Sequence, residues 1–149
     1  MTTFKIGSTT ATNAMNTLIG TASNAIGTNT AASTLVIFGT AMPSLATILT
    51  LTKATLPSAL ITVSLQTNAL AASNGVSTIG TIGTANAIAG GVAQWFAMYH
   101  GNLEAIVVGD ITTVTDGTGA IQLNDTTIVQ GRSYQFQNIS VTMPTTFTY

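Results

Sequence analysis

His100 is the only histidine in the chain, and Glu104 follows it four residues later. The two side chains could form half of a metal site or half of an acid–base site. A catalytic zinc ion normally takes three protein ligands, however, and the sequence contains neither a second histidine nor a cysteine. We therefore interpret His100 as a solvent-contacting residue of a turn with the sequence His100-Gly101-Asn102.

Three aspartates, Asp110, Asp116 and Asp125, follow within a short stretch, and Asn124 adjoins the last of them. Their oxygens could gather around Ca²⁺, which takes about six to eight oxygen ligands. The local sequences TDGTG and LND are also typical of turns, in which short polar side chains bind nearby backbone N–H groups. Nothing places two carboxyl groups together as glycoside hydrolysis requires. We predict turns here, and no catalytic, cofactor-binding or metal-binding residue.

Motifs for a nucleophile or a phosphate are absent from the sequence. No serine lies in a G-x-S-x-G context, and no G-x-x-x-x-G-K-[ST] loop occurs. Gly90-Gly91 precedes a predicted strand, so it indicates a bend and not a phosphate cradle. Aromatic residues could form a sugar-binding platform, although alternation along a strand sends some of them inward whatever the function. They are Trp95, Phe96, Tyr99, Tyr134 and Phe136, and we interpret them as core residues.

Charge is scarce along the whole chain. Asp, Glu, Lys and Arg make up 5% of its 149 residues, against roughly 25% in average soluble proteins, and threonine occupies 30 positions. Near-zero net charge favours association, and threonine side chains lose little rotamer entropy on burial. The three cations, Lys5, Lys53 and Arg132, are too few to neutralise a nucleic-acid backbone. Composition therefore predicts a protein that sits among copies of itself or other subunits.

The same composition argues against two other classes of chain. Because 46% of the residues are apolar and few charges oppose collapse, the chain is expected to fold rather than remain disordered. Thr, Asn, Gln and Gly interrupt every apolar run before it reaches the roughly 18 residues of a membrane span. The first residues, MTTFKIGSTT, lack the apolar segment of a signal peptide.

Residues 92–110 predict the central hairpin of a sheet. The run 92–99 is dense in apolar and aromatic residues, as in a strand covered on both faces, and 105–111 is a second β-rich run. Residues 33–39 predict another buried strand. Residues 46–53 and 60–67 predict two more strands. Apolar and polar residues alternate in the second, so one of its faces is expected to be exposed to solvent.

The remaining segments predict one helix and further short strands. A regular apolar stripe predicts an amphipathic helix over residues 8–26. The repeat TIGTIGTA predicts an irregular edge strand or loop, with bends at Gly80 and Gly83. Strands are expected at 120–123, 126–129 and 133–143. The apolar phase slips within the last of these, which predicts a β-bulge near Gln137-Asn138.

Seven to nine short strands and one helix indicate a mainly β fold. We expect an antiparallel β-sandwich with the N-terminal amphipathic helix packed on it, and a partly closed barrel is the alternative. The predicted organisation is an N-terminal arm over residues 1–7, a single domain over 8–144 and a C-terminal tail over 145–149.

Several segments, in this order, resemble small structural proteins of tailed bacteriophages. They are NAMNTLIG, STLVIFGTAMPS, GVAQWFAMYHGN, EAIVVGDITT, AIQLNDTTIVQG and QNISVTMP, and together they span nearly the whole chain. The similar proteins are minor capsid, decoration or other virion proteins. The resemblance implies a non-enzymatic component of the virion that forms a symmetric homo-oligomer, a trimer or dimer, and that binds the major capsid protein or another virion protein.

Three functions remain open at this point. The expectation that we favour is a capsid decoration or cement protein, which binds across capsomer junctions and stiffens the phage head. A tail, baseplate, collar or fibre subunit is the second. An extracellular filament subunit is the third, because the arm over residues 1–7 could reach a neighbour by strand addition.

Overall fold

The protein is mainly β. A computed structural model describes residues 3–5, 34–48, 59–65, 76–79, 83–99, 105–136, 139–142 and 146–148. These residues form thirteen short strands and one helical turn. The chain divides into two compact units, the first comprising residues 1–30, 66–82 and 137–149 and the second comprising residues 31–65 and 83–136.

A five-stranded sheet lies at the centre of the second unit. Its strands are β2 (Thr34–Phe38), β3 (Ala59–Ser64), β7 (Trp95–Tyr99), β8 (Ala105–Thr113) and β9 (Ile121–Leu123), in the spatial order β3-β2-β7-β8-β9. β7 and β8 pair antiparallel, so the predicted hairpin is confirmed and β7 is the middle strand. The predicted turn at residues 100–102 lies outside the described residues.

Both faces of β2 and β7 are buried, as their unbroken apolar sequences predicted. One face carries Phe38 stacked on Trp95, with ring centroids 4.1 Å apart. Further buried side chains on this face are Val36, Ala97, Tyr99 and Ile48. The other face carries Leu35, Ile37, Phe96 and Met98, together with Ile61 and Val63 of β3. Thr62 and Ser64 alternate with Ile61 and Val63 along β3 and are exposed, which confirms the solvent-exposed face predicted for this strand.

The predicted strand over residues 46–53 is wrong at its start. Leu45–Ile48 forms a helical turn, α1, and the following residues, 49–53, lie outside the described part. Ser44 explains the difference, because its Oγ accepts the Thr47 N–H at 3.3 Å and its carbonyl accepts the Ile48 N–H at 2.9 Å. The turn places Ile48, which is 2% exposed, against the Phe38–Trp95 face.

A tight connection joins β8 to β9, which pair parallel. Parallel neighbours usually need a crossover of about a dozen residues, and here residues 114–120 suffice. Local bonds hold this loop: Thr112 Oγ1 accepts the Gly119 N–H at 2.9 Å, and Asp110 Oδ1 accepts the Ala120 N–H at 3.2 Å. The TDGTG segment is therefore a turn, as predicted, with a positive φ of 69° at Gly117.

Two antiparallel ribbons complete the second unit. β6 (Gly91–Val92) pairs with β10 (Thr127–Ile128), and β5 (Gly83–Asn86) pairs with β11 (Ser133–Phe136). Gly83 has a φ of 79°, which confirms the bend predicted there. Gly131, with a φ of 77°, lies in the turn between β10 and β11.

The described strands of the first unit form two separate pairs. β1 (Thr3–Lys5) pairs with β13 (Thr146–Thr148), so a strand of the predicted arm bonds to a strand of the predicted tail. β4 (Val76–Ile79) pairs with β12 (Ile139–Thr142). The helix predicted at residues 8–26 lies outside the described residues, and the domain boundaries remain predictions.

The single strand predicted over residues 133–143 is divided into β11 and β12, which have different partners. Phe136 pairs with Gly83, and Ile139 pairs with Ile79. Along the sequence, two residues separate Phe136 from Ile139, whereas three separate Ile79 from Gly83. A one-residue irregularity was the basis of the predicted bulge, although residues 137–138 themselves lie outside the described part.

Candidate functional site

The aspartates serve turns in this structure. Asp125 Oδ1 accepts the Thr127 N–H at 2.8 Å, and Asp110 Oδ1 accepts the Ala120 N–H. The Asp116 backbone N–H donates to Thr113 Oγ1 at 3.2 Å. Within the part of the chain that the structure describes, no three acidic or histidine side chains come together as a metal site would need. His100 and Glu104 lie outside that part.

The aromatic residues do not share one exposed platform. Trp95, Phe96 and Tyr99 are buried, which confirms the core interpretation for these three. Tyr134 and Phe136 are half-buried on β11. The Tyr134 hydroxyl accepts the Val129 N–H at 2.8 Å, so this side chain fixes the residue that follows β10.

Among the residues that the structure describes, three buried side-chain atoms have no hydrogen-bond partner: Thr34 Oγ1, Trp95 Nε1 and Tyr99 Oη. Thr34 and Tyr99 are cross-strand neighbours on β2 and β7. Burial raises the pKa of the Tyr99 phenol above its ordinary value of 10.0. Sequence reasoning missed this group because a strand sequence does not show whether a buried hydroxyl finds a partner.

A long stretch of the sequence carries no charged residue. Residues 54–103 contain no Asp, Glu, Lys or Arg. The described positions of this stretch that are exposed are therefore polar but uncharged, glycine, or apolar. They are Thr62, Ser64, Thr84, Asn86, Ile88, Gly90, Gly91, Val92 and Gln94.

Large apolar side chains are exposed on and beside the β6–β10 ribbon. Ile88, Val92 and Val129 are 57%, 53% and 50% exposed. Val92 pairs with Thr127, and Val129 lies two residues beyond Thr127, so these side chains share one side of the pleat. We call the exposed surface of Ile88, Val92, Thr127 and Val129 the ribbon face.

The opposite side of the ribbon is fixed to the core. Ile128 is 3% exposed. A Cβ at Gly91 would lie 3.2 Å from Leu60 Cδ2, so glycine lets the ribbon approach the sheet closely. The Gly131 N–H donates to the Ala87 carbonyl at 2.8 Å, and Gln130 Nε2 donates to the Ile88 carbonyl at 3.1 Å. The ribbon face is therefore presented on a held backbone.

Asp125 and Arg132 are the two charged residues on β10, β11 and the turns before each, and both are exposed. The backbone and side-chain hydrogen bonds from Thr127 lower the pKa of Asp125 below its ordinary value of 3.8, and the nearby Arg132 guanidinium lowers it further. Asp125 thus stays ionised down to acid pH. One acidic residue, Asp125, and one basic residue, Arg132, therefore lie close in sequence to the uncharged ribbon face.

No protein-family model, curated protein or solved structure matches this chain. Among the described residues, the structure has no helix that is both long enough and apolar enough to cross a membrane. The ribbon face offers apolar and uncharged polar contact area to another macromolecule.

Proposed function

We propose that this chain is a non-enzymatic structural protein of a phage virion, and specifically a capsid decoration or cement protein that stabilises the head. The observation that carries the proposal is the ribbon face, an exposed apolar surface whose Ile88 and Val92 lie in a stretch of 50 residues, 54–103, without a charged residue. The resemblance of the sequence to small virion proteins supplies the virion as the setting. Copies of the chain and the major capsid protein are the proposed partners.

Low net charge favours assembly when a subunit is repeated many times in a shell. A shell protein occurs in many copies at short spacing, and every net charge on a subunit is repeated at that spacing. A chain with net charge −1 and few charges of either sign accumulates little repulsion. Burying exposed valine and isoleucine side chains contributes about 25 cal/mol per Å² removed from water.

The fold that accompanies this proposal is the β-sandwich with an N-terminal helix over residues 8–26. Burial of both faces of β2 and β7 supports a layered arrangement, because each face needs a covering layer. A helix over 8–26 predicts a measurable α-helical contribution in far-ultraviolet circular dichroism. Loss of that contribution on deletion of 8–26 supports the helix, and an unchanged spectrum contradicts it.

Co-sedimentation with empty phage shells tests the proposed function. The purified chain is first characterised by light scattering and then mixed with shells that lack it. A folded dimer or trimer that sediments with shells at a fixed ratio supports decoration. A folded species that stays in the supernatant contradicts it and favours a tail, baseplate, collar or fibre subunit, and one that polymerises alone favours a filament.

A further inference from the structure

We infer that the ribbon face binds the ribbon face of a second copy of this chain across a two-fold axis. The inference rests on the proposed function in that both describe a subunit that assembles through its uncharged surface. It goes further by naming the residues in contact and the two-fold symmetry that relates the two copies.

The first ground is the shape and support of the surface. Ile88, Val92 and Val129 are each at least half exposed, whereas Ile128 on the opposite side of the ribbon is buried. The Ile88 N–H donates to the carbonyl of Leu60 in β3 at 2.8 Å, which fixes this backbone to the sheet. A held backbone loses little conformational freedom on binding, which lowers the cost of association. Isolated exposed apolar residues are ordinary, but three on one ribbon form a patch.

The second ground is charge, and it selects a second copy as the partner. In a two-fold interface each residue near the rim faces residues from the same surface of the other copy. With one acidic and one basic residue beside an uncharged centre, Asp125 of one copy can face Arg132 of the other, twice per dimer. A partner surface of a single charge sign would attract one of these residues and repel the other.

The area of the ribbon face determines how strongly the two copies are expected to bind. Stable complexes bury about 800 Å² per partner, and four side chains of a two-stranded ribbon provide less. We therefore expect a dimer that dissociates on dilution, with a dissociation constant in the micromolar range or weaker. When both copies are attached to one shell, each copy is held at a high effective concentration near the other. A weak contact is then sufficient to keep the two copies paired.

Sedimentation velocity over a concentration series, up to about 1 mM, tests the contact. Val92→Lys and Val129→Lys place a charge at the centre of the ribbon face and are expected to shift dissociation at least tenfold toward monomer. Val114→Lys is the matched control, because Val114 is 54% exposed and lies in the turn after β8. The control should dimerise like the wild type, and a thermal melt confirms that each variant is folded.

Charge reversal tests the two-fold arrangement. Asp125→Lys and Arg132→Glu should each weaken the homodimer, because each places like charges opposite one another. An equimolar mixture of the two variants should recover association, since the mixed dimer pairs Lys with Glu and Asp with Arg. Asp125→Ala controls for loss of the Thr127 N–H bond, which the lysine variant also lacks.

The possible results separate this inference from the proposed function. A wild-type chain that is monomeric up to about 1 mM, or Val92→Lys and Val129→Lys variants that dimerise as the wild type does, overturns the ribbon contact. Failure of the mixed variants to recover association overturns the two-fold pairing. A ribbon-dependent dimer that does not bind shells leaves the ribbon contact standing and contradicts the decoration function.

Discussion

At the scale of single residues, the buried hydroxyls of Thr34 and Tyr99 stand out because they lack partners on a closely packed face. A buried hydroxyl without a hydrogen bond costs about 1–3 kcal/mol relative to its solvated state. The surrounding apolar contacts must offset that cost. Removing each oxygen while keeping the shape of the side chain should therefore stabilise the protein.

We predict that Tyr99→Phe and Thr34→Val each raise the free energy of unfolding by about 1 kcal/mol. Urea denaturation measures the change. Tyr134→Phe is the control, since it removes a hydroxyl that accepts the Val129 N–H, and it should lower the free energy of unfolding. A loss of stability in Tyr99→Phe or Thr34→Val would show that a bound molecule satisfies these hydroxyls.

Asp125 leads to a prediction about pH. Its pKa lies below 3.8 in the folded chain, chiefly because the Thr127 N–H binds the carboxylate. A depressed folded-state pKa stabilises the fold above the unfolded-state pKa, and that contribution is lost as the pH falls through the folded value. We expect the carboxyl resonance of Asp125 to titrate below pH 3.8.

Two variants test which interactions lower the pKa of Asp125. Arg132→Gln should raise the pKa of Asp125 only slightly, because the guanidinium is the smallest of the influences that lower it. Asp125→Asn should flatten the acid side of the stability profile. Titration of Asp125 at or above 3.8 would contradict the hydrogen-bond assignment.

At the scale of elements, the contact between β7 and β8 depends on a glycine. Gly109 pairs with Phe96, and a Cβ at Gly109 would lie 2.8 Å from Phe96 Cε1 and 2.9 Å from the Ala120 Cβ. Phe96 is 4% exposed, so its ring has little room to move. The glycine lets the aromatic ring cover the neighbouring strand, as aromatic residues often do opposite a glycine in a sheet.

We predict that Gly109→Ala lowers the free energy of unfolding by about 1–3 kcal/mol through overpacking. Gly90→Ala provides the comparison, since the nearest atom to its added Cβ is 3.5 Å away. That variant should change stability by no more than about 0.5 kcal/mol. Equal losses in the two variants, measured by thermal unfolding, would show that the crowding at Gly109 is relieved elsewhere.

At the scale of the whole molecule, the two ends of the chain are linked by β1 and β13. Three residue pairs form this contact, so it is a small part of the strand pairing in the chain. We predict that deletion of residues 1–7 weakens attachment to the assembly, measured by co-sedimentation, while the cooperative melt is retained. Deletion of residues 145–149 should have the same effect if the paired strands act together. Loss of the melt would show that the arm is part of the fold.

Scarcity of charge predicts a weak response to salt. Interactions between exposed charges fade as the Debye length shortens from about 10 Å at 0.1 M to about 3 Å at 1 M. Because seven of 149 residues are charged, binding to the shell should change little over this range. Co-sedimentation at the two salt concentrations measures the change, and a steep dependence would contradict an uncharged interface.

The sequence was informative where a local pattern has one physical solution. Both-sided burial of β2 and β7 followed from unbroken apolar runs, and the alternation in β3 predicted which threonine and serine are exposed. Gly83 and Gly117 occupy positive φ in segments that were predicted to bend or turn. Residues 46–48 were misassigned because a short apolar run suits a strand or a helix, and the Ser44 bonds decided between them.

The sequence by itself determined that the protein is mainly β, that charge is nearly absent, and that β7 and β8 form a hairpin in the middle of a sheet. These properties depend on composition and on contacts between neighbouring segments. Only the tertiary structure decided the parallel pairing of β8 with β9, the three unpartnered polar atoms, and the exposure of Ile88, Val92 and Val129. Each of these depends on which distant segments meet, and alternation along one strand shows that it has two sides without showing which side is covered.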